Sequence, residues 1–167
     1  PGTEQPVLAT GCSMDKDGFL EKKITMYSHT GTHMDAPAHL IETGITLDQY
    51  PVGHFFGNAV VIHLPPLNVP TISLDLFRPH AEALKKADFL LIHTGWDQFW
   101  GKDKYYSGYP VLDEKAAEWL IDLNFNGIGL DTISADRPDS EDFKIHHIFL
   151  SRGVVIIENL TGLDSLP

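Results

Sequence analysis

Four short apolar runs constrain the fold of this chain more than any other feature of its sequence. They are segments 58–64, 89–93, 127–131 and 154–158. Each run is too short for a typical buried helix and is bounded by turn-forming residues, which favours a buried β-strand. Pro79 suits the first turn of a short helix, Asp113 suits the N-cap of another, and residues 142–151 predict a third that ends at Gly153. Strands that alternate with helices are typical of an α/β layer architecture.

The composition limits the classes of function. Twelve basic and 23 acidic residues give a formal net charge of -11 at pH 7, which argues against binding to nucleic acid or to an anionic membrane. No apolar run approaches the roughly 18 residues of a membrane-spanning helix, and no signal segment is recognisable, so a cytoplasmic protein is expected. Cys12 is the only cysteine, which excludes an intrachain disulfide and a cysteine-based zinc site. Any bound metal must therefore be held by nitrogen and oxygen atoms.

The segment SHTGTHMDAPAHL, residues 28–40, concentrates side chains that can bind a metal. They are His29, His33, Asp35 and His39. Gly31 and Pro37 oppose a helix, so an extended conformation is predicted here, in continuation of a strand that begins near Lys22. Because odd-numbered residues of an extended segment point to the same side, we expect all four side chains on one face.

His33 and Asp35 are close enough to share one ion, because residues two apart on a strand are separated by roughly 6.8 Å. His29 would lie about 13 Å from His33 on a straight strand, and Gly31 can provide the bend that brings it closer. Two histidines and one carboxylate leave coordination positions open, as in a catalytic metal site. One alternative is a set of exposed histidines in a polar turn. A Ser28–His29 nucleophile pair is disfavoured because adjacent side chains on a strand point in opposite directions.

The spacing His29-x-Gly31-Thr32-His33-x-Asp35-x-Pro37-x-His39 resembles the signature of the cyclase family of metal-dependent hydrolases, which includes bacterial kynurenine formamidase and the isatin hydrolases. Further segments have counterparts in that family, namely 45–64, 89–96, 108–112, 127–136 and 153–160. The resemblance implies a three-layer swivelling β/β/α fold, with residues 1–167 as a single domain. Relative to the family pattern, we expect the chain to be trimmed at both ends, with an aromatic substrate contact lying before Pro1.

The resemblance also implies the roles of individual residues. His29, His33 and Asp35 would hold a first divalent metal, either zinc or manganese, and His39 would donate and accept protons. His146 and Glu158 would hold a second metal, with Asp35 as the bridging ligand. His146 is preferred to His147 because the family separates this histidine from the glutamate by twelve positions. Independently, Glu158 ends an apolar strand, where a buried carboxylate needs a partner, although a solvent-exposed Glu158 is the alternative.

Together with the resemblance, these residues predict a metal-dependent hydrolase that cleaves an amide-type bond of a small carbonyl substrate, such as an arylformamidase. Water activated by the metal is the expected nucleophile, and His39 is expected to move a proton to the leaving nitrogen. Two alternatives are a mononuclear manganese enzyme that opens a cyclic amide, as in the isatin hydrolases, and a metal-binding module without catalysis. The resemblance further implies a homodimer or larger homo-oligomer. The sequence assigns no substrate-binding residues.

Several other polar and aromatic residues have two interpretations. Asp131, Ser134 and Asp136 follow a predicted strand and either cap turns, which is favoured, or orient a metal-bound histidine. The aromatic residues of segment 94–110 line a substrate pocket or pack a loop or a subunit interface; they are Trp96, Phe99, Trp100, Tyr105 and Tyr106. The histidines without a partner pattern are expected to be structural; they are His54, His63, His80 and His93.

Overall fold

The computed structural model of the chain describes residues 4–66 and 69–166. The strands are β1 (Val7–Cys12), β2 (Glu21–Thr25), β3 (His33–Asp35), β4 (Ala59–His63), β5 (Thr71–Ile72), β6 (Phe89–His93), β7 (Val111–Leu112), β8 (Gly127–Leu130) and β9 (Val155–Glu158). The helices are α1 (Met14–Asp17), α2 (Ala81–Leu84), α3 (Glu114–Ile121) and α4 (Lys144–Leu150). Within these ranges no helix is both long enough and apolar enough to span a membrane.

The central sheet has five strands in the order β3-β9-β8-β6-β4. All four apolar runs form strands of this sheet, and they pair in parallel with their neighbours. Only β3 is antiparallel, and it pairs with β9 at the edge. Parallel neighbours require crossover connections, which the helices provide. The α/β class predicted from the sequence is therefore confirmed.

One face of the central sheet, called the helix face below, packs against α3 and α4. The strand register aligns Ile62 with Ile92 and Ile92 with Leu130, so all three side chains point to this face. They are buried in one apolar cluster with Leu120 of α3 and Phe149 of α4. Removal of this apolar surface from water is the main stabilising term for the layered fold.

The two longer helices begin where side chains satisfy their first backbone N–H groups. The carboxylate of Asp113 accepts a hydrogen bond from the N–H of Ala116 at 2.7 Å, which confirms Asp113 as the N-cap of α3. α4 is shorter than predicted and follows Phe143, whose φ of 45° is unusual for a bulky residue. Gly153, with φ of 76°, lies just beyond the end of α4 and before β9.

The prediction that residues 28–40 are extended throughout is wrong outside β3. His29 lies in a turn, and Gly31 has a φ of 68°, which confirms a bend at this glycine. Pro37 begins a 3-10 turn that ends at His39. The physical reasons are local, because glycine adopts left-handed backbone conformations at little cost and proline has a fixed φ that suits the start of a helical turn.

A two-stranded hairpin at the start of the described chain was not predicted in full. β1 pairs antiparallel with β2, and Leu8 lies opposite Ile24. The sequence predicted only the second strand, because β1 is interrupted by Gly11 and bears few apolar residues in alternation. A second small sheet joins β5 and β7 in parallel.

Candidate metal centre

The pairing of β3 with β9 brings distant parts of the chain to one site. His33 lies opposite Glu158, and Asp35 lies opposite Ile156. Paired residues share a face of the sheet, and residues two apart on one strand do so as well. Ile156 belongs to the buried cluster beneath the helices, so these ligand-type side chains point to the helix face. There α4 contributes His146.

Asp35 is at the centre of the site and is almost completely buried. Its Oδ1 lies 2.7 Å from Nδ1 of His29 and 3.3 Å from Nε2 of His33. Its Oδ2 lies 3.6 Å from Nε2 of His146. One carboxylate therefore approaches three imidazoles that come from a turn, a strand and a helix.

Glu158 is 5% exposed, so the alternative of a solvent-exposed glutamate is wrong. Its Oε2 lies 3.5 Å from Nε2 of His33, and its Oε1 lies 3.2 Å from Nε2 of His146. The N–H of Ala135 also donates a hydrogen bond to Oε1, at 3.0 Å. This backbone contact holds the carboxylate in place while the two imidazoles face it.

His39 reaches the same site from the 3-10 turn after Pro37. Its ring centroid lies 4.1 Å from that of His29 and 6.2 Å from that of His146. Burial lowers the pKa of His39, because a neutral imidazole is favoured away from water. The structure thus gathers every side chain to which the sequence assigned a metal or catalytic role.

Three ligand-type atoms in the site are buried without a hydrogen-bond partner among the described residues. They are Nε2 of His33 and both carboxylate oxygens of Asp35. Neighbouring atoms lie close to them, but not in hydrogen-bond geometry. Buried polar atoms without a partner are costly, whereas a cation would satisfy all three. Imidazole and carboxylate donors also match the preferences of zinc and manganese, so the residues fit a divalent metal.

Two groups of ligand atoms can be distinguished, each with its atoms within 4.8 Å of one another. One consists of His29, Asp35 and His39, and the other consists of His33, Asp35 and Glu158. Asp35 belongs to both, as a bridging ligand between two ions would. The division differs from the expected one, since His29 and His33 fall in different groups, His39 lies within ligand reach, and His146 belongs to neither group.

Hydrogen bonds to backbone carbonyl groups orient His33 and the turn that precedes it. Nδ1 of His33 lies 2.9 Å from the carbonyl oxygen of Gly31, which can only accept a hydrogen bond. Nδ1 therefore carries a hydrogen, and Nε2 is the nitrogen that faces Asp35. The hydroxyl of Thr32 donates to the carbonyl oxygen of Asn159 at 2.6 Å, which fastens the turn to the end of β9.

Asp136 orients His146, although the sequence favoured a turn-capping role for it. Nδ1 of His146 lies 2.6 Å from Oδ2 of Asp136. The N–H groups of Ile145 and His146 donate to the same carboxylate at 3.0 and 2.9 Å. Asp136 therefore caps the start of α4 and also points Nε2 of the histidine towards the centre. No sequence spacing predicted this contact, because Asp136 and His146 lie on opposite sides of a loop.

Asp131 has the turn-capping role that the sequence favoured. Its carboxylate accepts hydrogen bonds from the N–H and hydroxyl of Thr94 and from the N–H of Trp96. Ser134 is a local contact as well, because its hydroxyl accepts from the N–H of Asp136 at 3.3 Å. Neither side chain touches the imidazoles of the centre.

The carboxylates give the centre a strong preference for positive charge. Burial opposes protonation of His146, but the neighbouring carboxylates, Asp136 above all, outweigh it and raise the pKa of His146 to about 11. Burial likewise opposes ionisation of Asp35, yet contacts with His146 and His33 hold its pKa well below the usual range. A divalent cation would place two positive charges at one point beside these carboxylates.

The aromatic residues of segment 94–110 mainly pack their own loop. Tyr105 is buried, and its hydroxyl donates to Oδ1 of Asn159 at 2.8 Å. The indole N–H of Trp96 donates to the carbonyl oxygen of Tyr105 at 3.0 Å. Trp96 and Phe99 also line a cavity of about 630 Å³, whose lining includes none of the centre's ligand-type residues. None of these aromatic side chains is therefore identified as a substrate contact at the metal centre.

Known proteins resemble this chain over most of its length. The family model described as "Putative cyclase" matches residues 2–137. The kynurenine formamidase of Erythrobacter litoralis is 30% identical over 87% of this chain and 63% of its own length. That of Geobacillus thermodenitrificans is 32% identical over 83% of this chain and 63% of its own length. The chain thus spans less than two thirds of these curated relatives.

Two solved structures have the same fold. A structure described as a predicted metal-dependent hydrolase from Bacillus stearothermophilus is 31% identical, with a TM-score of 0.75 over 98% of this chain and 74% of that one. Isatin hydrolase A from Labrenzia aggregata is 22% identical, with a TM-score of 0.85 over 100% of this chain and 74% of that one. The second likeness concerns the fold alone. With the family model spanning most of the sequence, this chain belongs to the cyclase family.

Proposed function

We propose that the chain is a metal-dependent amidohydrolase that cleaves the amide-type C–N bond of a small carbonyl substrate, as an arylformamidase does. The observation that carries this proposal is the set of buried ligand atoms without hydrogen-bond partners on His33 and Asp35. Relatives named kynurenine formamidase and a structure described as a metal-dependent hydrolase support the same class of reaction. The bond is a C–N bond other than a peptide bond.

The side chains of the centre have separate tasks in this proposal. When bound, a divalent cation polarises a carbonyl group and acidifies a coordinated water. Asp35 and Glu158 provide the negative charge that holds the cation, and Asp136 keeps His146 in its orientation. His39 takes up a proton and delivers it to the leaving nitrogen, because amide cleavage needs a protonated amine as the leaving group.

We further propose that the centre takes two ions of zinc or manganese. Asp35 is shared by a group that includes His29 and a group that includes His33 and Glu158, which supports a pair of ions over a single one with His39 kept as the proton shuttle. A mononuclear manganese site of the isatin-hydrolase kind is the alternative, since three protein ligands suffice to hold one ion that keeps coordination positions open. A cytoplasmic location, expected from the composition, stays a prediction.

Hydrolysis assays of the metal-loaded protein test the reaction class. We expect zinc- or manganese-loaded protein to release formate from an N-formyl aromatic amine. His39→Ala should lower kcat about 10²–10⁴-fold and leave the bound metal in place, whereas His80→Ala, at an exposed histidine elsewhere, should change neither quantity.

Three outcomes would contradict parts of this assignment. Loss of an ion from the His39→Ala protein would make His39 a ligand rather than a proton shuttle. Hydrolysis of a cyclic amide without formamide hydrolysis would favour the isatin type. Tight metal binding with neither reaction would indicate a binding module without catalysis.

We also propose that the chain assembles into a homodimer or larger homo-oligomer. Its accessible surface is 10113 Å², whereas a compact monomer of 18.6 kDa is expected to expose about 8,200 Å². Part of this excess is the β1–β2 hairpin, where the facing residues Leu8 and Ile24 are 66% and 59% exposed. A two-stranded hairpin is marginally stable alone, and the excess of about 1,900 Å² per chain is more than the roughly 800 Å² that each partner buries in a standard interface. We therefore propose that a second copy of the chain covers this hairpin.

A further inference from the structure

Two histidines that the metal centre does not use face each other on the central sheet. His63 ends β4 and His93 ends β6, and the strand register pairs them directly. Their Nδ1 atoms are 3.0 Å apart. The preceding residues, Ile62 and Ile92, point to the helix face, so the two imidazoles point to the opposite face of the sheet.

This pair is separate from the metal centre. The register aligns Ile128 with Ile156, so Leu130 and Glu158, two residues further along each strand, share the helix face with the centre. The backbone of the sheet therefore lies between the two sets of histidines. His63 is exposed and His93 is half-buried, so solvent ions can reach the pair.

The separation of the two nitrogens matches that of two ligands on one ion. Metal–nitrogen bonds of about 2.0–2.1 Å place two nitrogens roughly 2.9 Å apart at a right angle and about 3.3 Å apart at the tetrahedral angle. A neutral imidazole pair can instead share one hydrogen between its Nδ1 atoms. An ion can replace that hydrogen once the rings turn so that both lone pairs point at it.

A carboxylate lies close to one of the two histidines, His93. Ligand atoms of His93, Asp97 and Asp131 lie within 4.8 Å of one another. Asp131 is occupied by hydrogen bonds from the turn that follows His93, so it holds that turn rather than an ion. Asp97 accepts at Oδ2 from the hydroxyl of Thr161 at 3.1 Å. No hydrogen bond from the described residues reaches its Oδ1, which leaves that oxygen available.

The residues around His93 hold its backbone in place and leave a cavity through which an ion can enter. Asp131 fixes the backbone next to His93 through hydrogen bonds from Thr94. His93 also lines the cavity of about 630 Å³ described above. Imidazole and carboxylate ligands together suit zinc, copper and nickel.

We propose that His63, His93 and Asp97 form a second, peripheral binding site for a transition-metal dication. The site lies on the face of the sheet opposite the metal centre and binds one ion independently of it. This role differs from the structural one that the sequence suggested for His63 and His93. It was not recognisable in the sequence, because the two histidines lie 30 residues apart and meet only through strand pairing.

Zinc stoichiometry after equilibrium dialysis tests the site. The double variant His63→Gln/His93→Gln should bind one zinc ion fewer than the unmutated chain, and the matched control His80→Gln should bind the full number. Asp97→Asn should weaken the same ion at least tenfold, because a neutral amide is a poorer ligand than a carboxylate. Circular dichroism confirms that each variant is folded.

A second arm separates this ion from those of the metal centre. In an Asp35→Asn background, which weakens the centre, the ion that still binds should disappear when His63→Gln is added. Equal zinc content in the presence and absence of the two glutamine substitutions would overturn the proposal, as would unchanged affinity in Asp97→Asn. Since His63 is exposed, His63→Gln alone leaves folding intact and keeps the test decisive if the double variant is unstable.

Discussion

At the scale of single residues, Asp35 is the side chain on which the metal centre depends most. It is buried, it belongs to both groups of ligand atoms, and neither of its oxygens has a hydrogen-bond partner in the described chain. Glu158 belongs to one group only. Asp35 would therefore bind two ions, whereas Glu158 would bind one.

This difference predicts unequal effects of two isosteric substitutions. Glu158→Gln should lower the metal content by one ion per chain, because only the group with His33 loses a charged ligand. Asp35→Asn should weaken every ion of the centre. Metal content after gel filtration measures both effects, with circular dichroism as the control for folding. Equal loss in the two variants would argue against a bridging Asp35, and a centre that never holds more than one ion would favour the mononuclear alternative.

Asp136 is predicted to act on metal affinity through His146. Asp136→Asn should weaken metal binding about 10–100-fold, the usual cost of losing the partner that orients a metal-bound histidine. The matched control is Asp113→Asn, which alters the N-cap of α3 without touching the centre. Isothermal titration with zinc compares the two variants. If both lower affinity equally, Asp136 stabilises the fold and does not position the ligand.

At the scale of secondary-structure elements, the turn before β3 decides where His29 lies. Gly31 has a φ of 68°, and a side chain added there would meet no atom within 4 Å. Any effect of substitution therefore comes from the backbone conformation and not from a clash. A β-branched residue in this conformation costs roughly 1–2 kcal/mol.

Gly31→Val is accordingly expected to straighten the turn and weaken metal binding without replacing a ligand. Gly31→Asn should have a smaller effect, because asparagine tolerates left-handed conformations. Gly53→Val is the control, since Gly53 also has open space around it but lacks a positive φ. Metal affinity of the three folded variants is the measurement. Unchanged affinity in Gly31→Val would show that His29 does not need this bend.

At the scale of the whole molecule, the exposed hairpin is predicted to be an interface between two copies of the chain. Light scattering after gel filtration should give a mass of at least two chains. Leu8→Lys and Ile24→Lys should shift the mass towards one chain, because each places a charge in the proposed apolar contact. Val52→Lys, at an apolar residue outside the hairpin that is 73% exposed, is the control. A monomeric unmutated protein would contradict the assembly.

The sequence alone determined the features of this protein that depend on neighbouring residues. The apolar runs predicted four strands of the central sheet, Asp113 predicted the start of α3, and Gly31 predicted a bend. These succeeded because chain length, capping and backbone freedom act within a few residues. The family signature in residues 28–40 also indicated the ligand-type residues, although not the turn and the 3-10 segment that present His29 and His39.

Only the tertiary structure decided which distant residues meet. The antiparallel pairing of β3 with β9 sets His33 opposite Glu158, and parallel pairing of β4 with β6 sets His63 opposite His93. Asp136 turns towards His146 because the loop between them folds back on the start of α4. Strand order and loop closure depend on burial summed over the whole core rather than on local spacing. For that reason the two groups of ligands around Asp35 and the second pair of histidines emerge from the fold and not from the order of residues.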